Sequence, residues 1–438
     1  MKELTVCHLN IIGFRAAVMM IKDSSLSTRP FVIAGAAGGR ALALDCSPQA
    51  VQEGIFPGMP LAAAGRLVRD LIILPPDFPA YTAMNTELEK VAARYAPVWE
   101  NDKGGNFYLD LTGTQGLFGP PADCTSRILR DMFERAAIRP AAAIACNKLV
   151  SKVATRTIRP DGLIQVQQDT EEEFLSHQDI RILPGMGPAL LRTACVTGIR
   201  EIGELAALSV AQAISLFGKR GPLLRNMARG IDSSRVEERK TERRICRRAD
   251  FSEDVIDETA IRASIGALAE QGGLEMRNEK LGASGIRLAL RYSDGVEAQG
   301  FQKTKQPLVT DRDLMAASYE LWQKTVKRRI RIRAIGISFE DMTPLGYQPD
   351  LFEPETEAKN RKLQEAADKI QNRFGAGKVS KGLVLFLHKE PRRIAAKVDP
   401  QIPVKGSAAG RVAGSGEADM LVESACAAPQ HLNTSCCA

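Results

Sequence analysis

Residues 103–113, Lys-Gly-Gly-Asn-Phe-Tyr-Leu-Asp-Leu-Thr-Gly, contain the stretch that decides the fold. Phe107 to Leu111 has the aromatic and aliphatic residues of a buried strand, and a Thr-Gly turn follows it. Gly104, Gly105 and Asn106 lead into this strand. The start of a core strand is a suitable place for a catalytic carboxylate, but glycine supplies backbone freedom and no chemistry. The stretch therefore predicts a core strand with no acid at its start.

The composition is that of a soluble globular protein, because 44% of the 438 residues are hydrophobic and 25% are charged. This length predicts roughly two to four domains. No apolar run reaches the roughly 18 residues of a membrane span, and no signal-peptide core is visible at the N-terminus. The nine cysteines form no Cys-x-x-Cys pair, and the four histidines are far apart. Reduced thiols, a cytoplasmic location and no histidine-built metal site are expected.

The net charge of +7 is unevenly distributed along the chain. Basic residues concentrate in 239–248 and again in 324–333, each time beside a strand-like pattern. One such cluster is often only a solvated face. Two of them favour a polyanionic partner, most simply nucleic acid.

Strand-like and helix-like segments alternate from residue 4 to about residue 165, which predicts a mixed α/β domain. Residues 30–34 and 40–44 are expected to form a strand pair. Helices are expected over 81–95 and 121–136, and the strand at 107–111 is expected to be the central one.

In its order of segments the chain resembles the Y-family (translesion) DNA polymerases from about residue 4 to about residue 390. Four blocks carry the resemblance: Ala50-x-x-x-Gly54-Ile55-x-x-Gly58-Met59-Pro60, Phe107-Tyr108-Leu109-Asp110-Leu111-Thr112-Gly113, Asn147-Lys148-x-x-x-Lys152-x-Ala154-Thr155 and Arg291-Tyr292-Ser293-Asp294. The resemblance implies a multidomain α/β fold with right-hand architecture. The implied parts are palm and fingers (1–165, with the fingers at about 23–72), a helical thumb (166–238), a basic linker (239–248), an α+β little finger (249–343), a clamp-binding motif with a C-terminal helix (344–388) and a disordered tail (389–438).

The resemblance also implies where a polymerase would hold two divalent cations, and those positions lack acids in this chain. They are occupied by Asn10, Gly105 and Asn106. Asparagine is a weak Mg²⁺ ligand and glycine offers no side chain, so a two-metal site cannot be assembled from them. The expectation is a polymerase fold without catalytic residues, metal or other cofactor. The alternative is an active enzyme with a relocated Mg²⁺ site that uses Asp102 or Glu100.

Other implied nucleotide contacts are changed as well. Pro48 and Val51 stand where residues holding the triphosphate are expected, and Arg15 stands where the sugar is screened. Lys152 alone remains, as a vestigial nucleotide ligand.

Two elements are expected to bind DNA without reading its sequence. Gly185 and Gly187 lie in a Gly-x-Gly hairpin that resembles the helix-hairpin-helix motif, whose backbone N–H groups contact phosphate. A lone hairpin of this kind is often only a turn between packed helices. The linker and little finger carry arginines that are expected to grip phosphates, namely Arg244, Arg247, Arg287, Arg291, Arg331 and Arg333.

The segment Gln348-Pro349-Asp350-Leu351-Phe352 resembles the motif by which bacterial proteins bind the sliding clamp. Gln348, Asp350, Leu351 and Phe352 are the implied contacts, with Leu351 and Phe352 entering an apolar pocket. The alternative is that Leu351 and Phe352 cap the chain's own core.

One helix is predicted to start near Thr310, a plausible N-cap. Another is predicted over 356–374, with Leu363, Ala366, Ala367, Ile370 and Phe374 as its apolar stripe. A further strand is expected at 382–388. The tail beyond residue 389 has the composition of a disordered segment, and no role is expected for Cys436 and Cys437.

These features favour a non-catalytic protein of DNA repair and translesion synthesis in the SOS response to DNA damage. The chain is similar to the accessory subunit of bacterial mutasomes (the ImuB type). It would hold damaged or primer-template DNA, dock on the sliding clamp, and work with a replicative-type error-prone polymerase and a RecA-like accessory protein, with no membrane partner. The alternatives are a divergent active translesion polymerase and a DNA-binding regulator without a replication role.

Overall fold

The structure is a computed structural model that describes residues 4–35, 41–238, 244–345 and 355–375, together with Gly382. The chain divides into two compact units, with a boundary between Arg239 and Lys240 in the sequence. The strands, in chain order, are β1 (Val6–Asn10), β2 (Phe31–Ile33), β3 (Asp45–Cys46), β4 (Ile72–Leu74), β5 (Val98–Lys103), β6 (Asn106–Asp110), β7 (Ala141–Ala145), β8 (Gly162–Gln165), β9 (Ile245–Val255), β10 (Leu281–Tyr292), β11 (Glu297–Leu308) and β12 (Ile332–Pro344).

The α-helices are α1 (Phe14–Lys22), α2 (Pro48–Gln52), α3 (Leu61–Leu67), α4 (Phe78–Tyr95), α5 (Gln115–Phe118), α6 (Pro121–Ala136), α7 (Lys148–Thr157), α8 (Glu171–Ser176), α9 (Pro188–Val196), α10 (Ile202–Ala207), α11 (Val210–Phe217), α12 (Gly221–Ala228), α13 (Glu258–Asn278), α14 (Asp311–Thr325) and α15 (Glu355–Phe374). Short 3₁₀ helices lie at Ser24–Thr28, Ile180–Ile182 and Gly218–Arg220. No helix of the described segments is long and apolar enough to cross a membrane.

Strand β1 lies in the middle of a five-stranded sheet with the order β5-β6-β1-β7-β8. It pairs antiparallel with β6 and β7, and all of its residues are buried. The strand expected at the centre, residues 107–111, corresponds to β6 and lies beside β1. The prediction that residues 107–111 form the central strand was therefore wrong. The central strand is β1, because β7 pairs with β1 and not with β6.

Alternation along the strands gives this sheet an apolar face and a polar face. The apolar face packs against α4 and α6 and includes Cys7, Leu9, Phe107 and Leu109. The opposite face, called the polar face below, carries His8, Asn10, Asn106 and Tyr108. Helix α7 lies on this polar face, where Thr155 contacts His8.

Residues 31–74 form a second, three-stranded sheet with the order β3-β2-β4. Strand β2 confirms the strand predicted at 30–34. Its partner was predicted at 40–44, but β3 is Asp45–Cys46. The predicted partner is displaced along the chain: the Leu44 N–H does donate to the Ile33 carbonyl at 2.7 Å, but the Ala43 N–H donates to the Met59 carbonyl at 2.9 Å and Leu42 bridges to Pro60.

The predicted helices over 81–95 and 121–136 are confirmed as α4 and α6. Helices α8 to α12 fill residues 166–238 and share one apolar cluster. The helix predicted to start after Thr310 is α14, and the Thr310 hydroxyl caps it by accepting from the Asp313 N–H.

The second unit contains a sheet with the order β11-β10-β12-β9. Ile286, Leu288 and Leu290 of β10 pack on the side covered by α13 and α14. Strand β9 begins at Ile245, so residues 245–248, expected in a linker, form strand instead and pair with residues 336–339 of β12. This strand was not predicted from the sequence, because the arginines in the segment interrupt its apolar alternation.

Candidate functional site

Asn10 and Asn106 face each other across the polar face of the first sheet. Asn10 ends β1 and Asn106 begins β6, and the two are direct partners in the antiparallel register. The Asn10 amide Nδ2 donates a hydrogen bond to Asn106 Oδ1. Two neutral side chains therefore satisfy each other at the position where the resemblance implies carboxylates.

The turn between β5 and β6 is filled by an aromatic ring. A Cβ atom placed on Gly105 would lie 3.0 Å from Phe14 Cβ, and one placed on Gly104 would lie 2.9 Å from Phe14 Cε1. Gly105 also has a φ of +86°, which favours glycine. The Ile11 N–H donates to the Gly105 carbonyl at 2.8 Å, which fixes the turn against β1. Phe14 thus occupies the volume that a side chain at residue 105 would need.

The nearby acids Glu100 and Asp102 each lie beside a lysine of α7. Lys148 Nζ is 2.5 Å from Glu100 Oε2, and Lys152 Nζ is 3.6 Å from Asp102 Oδ2. Both lysines also approach the Tyr108 ring, with Nζ 4.7 Å and 6.0 Å from its centroid. Burial, together with the Asp102 charge, raises the pKa of Tyr108 well above its usual value. Lys152, expected to be a vestigial nucleotide ligand, therefore has a protein carboxylate as its neighbour.

These residues do not fit a divalent cation. Mg²⁺ prefers several oxygen ligands in octahedral geometry, commonly one or two carboxylates with phosphate and water. Here the Asn10 amide presents its donor to Asn106, residue 105 has no side chain, and the remaining acids are paired with lysines. Among the described residues, no group of three or more His, Cys, Asp or Glu side chains could hold a metal ion.

His8 is a buried member of the polar face that the sequence did not single out. Its Nδ1 lies 2.6 Å from Thr155 Oγ1, and its ring lies 4.5 Å from the Tyr108 ring. Burial, reinforced by the positive charge of Lys152, lowers the pKa of His8 well below its usual value. His8 is therefore neutral and joins β1 to α7 through a hydrogen bond.

Asp45 is a second buried residue that sequence reasoning missed. Its Oδ2 accepts from the backbone N–H groups of Arg15 and Ala16 at 3.0 and 3.3 Å, at the first turn of α1. Burial raises the pKa of Asp45, although these hydrogen bonds oppose the shift. Pro48 and Val51, which stand where residues holding the triphosphate are expected, both lie in α2. Pro48 is the first residue of that helix, and Val51 is half exposed. The start of α1 is thus bound by the chain's own carboxylate.

The Gly-x-Gly hairpin lies between the 3₁₀ helix Ile180–Ile182 and α9. Gly185 has a φ of +86°, and its carbonyl accepts from Arg220 Nη2 at 3.3 Å. Gly187 is the N-cap of α9, and a Cβ placed on it would meet no atom within 4 Å. The Gly187 N–H donates to the Gly185 carbonyl at 3.1 Å, and the DNA contact stays a prediction.

Several predicted DNA-binding arginines form ion pairs inside the second unit. Arg287 donates to both carboxylate oxygens of Glu340 at 2.7 and 2.8 Å, and its guanidinium lies 4.8 Å from the Phe301 ring centre. Arg291 pairs with Glu297 at 3.2 Å, and Arg333 pairs with Asp254 at 3.3 Å. Arg287 and Arg291 lie on the side of the sheet away from α13 and α14, called the arginine face below.

Arg247 is not on the arginine face. It is opposite the buried Ile337 in the register and forms an ion pair with Glu275 of α13, with 11% of its side chain exposed. The alternation of β9 turns it toward the helices, and its role as a DNA contact stays a prediction. Arg244 and Arg331 are exposed at the starts of β9 and β12.

The clamp motif at Gln348, Asp350, Leu351 and Phe352 lies outside the described residues. Apart from Gly382, the strand expected over 382–388 lies outside the described residues too, as does the tail with Cys436 and Cys437.

Comparison with known proteins identifies relatives of this fold. Models of the impB/mucB/samB family and of its C-terminal domain match residues 9–156 and 242–351. The DNA polymerase IV of Desulfatibacillum aliphaticivorans is 27% identical over 382 residues, which cover 86% of this chain and 96% of that protein. The DNA polymerase IV of Halorhodospira halophila is 28% identical over 347 residues, 79% of this chain and 98% of that protein.

Solved structures show the same architecture. A Y-family DNA polymerase chimera, Dbh-Dpo4(243-245)-Dbh, has a TM-score of 0.69 at 19% identity and covers 78% of this chain and 99% of its own. DinB from Sulfolobus solfataricus has a TM-score of 0.56 at 20% identity, covering 77% and 98%. The two family models together match more than half of the residues. The chain belongs to the impB/mucB/samB family, and its fold is that of the Y-family DNA polymerases.

Proposed function

We propose that this protein is a non-catalytic member of the family that acts in translesion DNA synthesis. It binds damaged or primer-template DNA, docks on the sliding clamp, and brings an active error-prone polymerase to the lesion. The observation that carries the proposal is the site formed by the Asn10–Asn106 amide pair and by Phe14 packed on Gly104 and Gly105.

The chemistry of phosphoryl transfer supports the loss of catalysis. A polymerase needs cations that neutralise the triphosphate and activate the primer hydroxyl, and carboxylates hold those cations. Neutral amides that are hydrogen-bonded to each other do not supply that charge. Asp45 already accepts from the Arg15 and Ala16 N–H groups at the first turn of α1, so these two donors are engaged within the chain.

The surfaces expected to bind DNA support the retained role. The first turn of α9 contains the backbone N–H groups of Ala189 and Leu190 beside Gly187, and the arginine face carries guanidinium groups along a sheet. Such contacts are to the DNA backbone, so the binding is independent of sequence and weakens with salt.

The alternative is a divergent active polymerase with relocated ligands. It is favoured by Glu100 and Asp102, which lie on the strand next to β6. The adjoining Lys148 and Lys152 argue against it, because a cation would have to displace two ammonium groups.

Primer extension tests the proposal. The purified full chain is incubated with a primed template, all four deoxynucleotides and Mg²⁺ or Mn²⁺, and no extension above a no-protein control is expected. Metal-dependent extension that Asp102→Ala or Asp110→Ala abolishes would establish the alternative. A DNA mobility shift on the same preparation shows that the protein is folded and competent to bind.

A further inference from the structure

Helix α15 is attached to the second unit by its polar side. Asp368 accepts two hydrogen bonds from the Arg277 guanidinium at 2.6 and 2.9 Å. Gln364 Nε2 donates to Asp311 Oδ2 at 2.9 Å, close to the start of α14. These contacts join α15 to the end of α13 and to the start of α14.

The attachment is well shielded from solvent. Only 10%, 14% and 7% of the side chains of Arg277, Asp368 and Asp311 are exposed. Burial by itself lowers the pKa of Arg277, but the hydrogen bond to Asp368 and the Asp311 charge outweigh it and raise that pKa. Asn278 and Asn372 add a reciprocal pair of amide hydrogen bonds at 2.9 and 3.1 Å. The helix is therefore held in one rotational setting.

The apolar stripe of α15 lies about a third of a turn around the helix from this attachment. Leu363, Ile370 and Phe374 are 70%, 42% and 60% exposed against the described residues. The stripe runs for three turns, about 16 Å along the helix axis. An amphipathic helix of a globular unit normally turns such a stripe toward the core, so an exposed stripe marks an interaction surface.

One flank of the stripe is basic. Lys362, Lys369 and Arg373 follow it on the exposed side, and the Arg373 guanidinium lies 5.3 Å from the Phe374 ring centre. The other flank carries Gln364 and Gln371, which lie on the side turned to the second unit. A partner on the stripe therefore meets positive charge along one side only.

We propose that the stripe of α15 is a docking site for an amphipathic helix of another protein whose flank is acidic. A second copy of this chain fits poorly. If the two α15 helices were antiparallel, their basic flanks would face each other and repel. If they were parallel, the basic flank of each copy would meet the flank by which α15 of the other copy is attached to its second unit. Acidic residues complement Lys362, Lys369 and Arg373, while Leu363, Ile370 and Phe374 supply the apolar anchors. This inference stands apart from the proposed role of the polymerase-like site.

The test uses the full chain and two labelled synthetic helical peptides that share a leucine stripe. One peptide has glutamates along the flank and the other has lysines. Fluorescence anisotropy is expected to show saturable binding of the acidic peptide and at least tenfold weaker binding of the basic one. Leu363→Gln with Phe374→Gln is expected to weaken the acidic peptide tenfold or more. Glu365→Gln, on the same helix but off the stripe, is the matched control and leaves binding unchanged.

Charge reversal makes the test specific. Lys369→Glu with Arg373→Glu is expected to reverse the preference, so that the basic peptide binds more tightly. Equal affinity for both peptides, or no binding of the acidic peptide at about 1 mM, would overturn the proposal.

Binding to vesicles of phosphatidylglycerol without peptide binding would assign the stripe to a lipid surface. Self-association in sedimentation that Leu363→Gln abolishes would assign it to a second copy. Each of these two results also overturns the proposal.

Discussion

Phe14 is the residue whose packing defines the candidate site. It begins α1, and its side chain lies over Gly104 and Gly105 within the core shared by the first sheet and α4. A ring against two glycines is a close apolar contact, and core packing of this density tolerates few added atoms. The site is therefore closed by packing as well as by the absence of acids.

Restoring an acid at this turn is expected to be costly. Gly105→Asp would place a Cβ 3.0 Å from Phe14 on a backbone with φ +86°. We expect a loss of about 1–2 kcal/mol from the backbone and of about 1–3 kcal/mol from overpacking. Gly54→Asp is the matched control, because Gly54 has φ +83° and an added Cβ there meets nothing within 4 Å. Urea unfolding that shows equal losses for the two variants would contradict the packing argument.

His8 predicts a specific dependence of stability on pH. Its pKa is lowered in the folded state by burial, so the unfolded chain takes up the proton first as the pH falls. Stability is therefore intact above the ordinary histidine pKa of about 6.5 and falls below it, by up to about 1.4 kcal/mol per pH unit. His8→Gln is expected to flatten the difference in unfolding free energy between pH 7 and pH 5. His177→Gln, which removes an exposed imidazole, should keep the wild-type slope, and an equal effect of both would refute the assignment to His8.

At the scale of elements, local patterns predicted helices and strands well. The helices at 81–95, 121–136 and 356–374 and the Thr310 cap follow from apolar periodicity and capping chemistry, which are encoded within a few residues. The order of the first sheet and the position of β3 were missed. Both depend on which distant segments pair, and a local pattern does not contain that information.

The site was predictable only in part, for the same reason. Asn10, Gly105 and Asn106 could be identified from the resemblance, and the register does bring Asn10 and Asn106 together. Phe14 and Asp45 were missed because their roles depend on contacts with glycines and backbone amides far away in sequence. The side of the sheet on which Arg247 lies was not predicted, because its segment was interpreted as a linker and not as a strand with two faces.

The arginine face gives a prediction at the scale of one sheet. Glu340 neutralises Arg287, so Glu340→Gln is expected to raise DNA affinity several-fold at low salt and to steepen the salt dependence by about one unit. Glu258→Gln makes the same charge change on α13, on the other side of the sheet, and is expected to leave affinity unchanged. Fluorescence anisotropy with duplex DNA over a salt series measures both. Equal effects would show that only total charge matters and would contradict binding through this face.

At the scale of the whole molecule, the proposed role depends on a peptide outside the described residues. Leu351 and Phe352 are the two apolar residues of the clamp motif, and two such anchors can carry most of a peptide interface. Replacing both with alanine is expected to abolish capture of the full chain by immobilised sliding clamp while leaving DNA binding intact. Capture that persists in the double variant would remove the clamp from the proposed function. Loss of DNA binding as well would point to misfolding.

The contact between Phe14 and the two glycines also limits how this chain can change. Asn10→Asp would remove the donor of the amide pair, and Gly105→Asp would crowd the Phe14 ring, whereas Asn106→Asp would keep an oxygen that accepts from Asn10 Nδ2. No one of them by itself completes a set of metal ligands. Acids at residues 10 and 105 are therefore expected to cost folding stability before any set of metal ligands is complete. Under the proposed non-catalytic role, a return to metal binding would require a smaller residue in place of the Phe14 ring as well as new carboxylates.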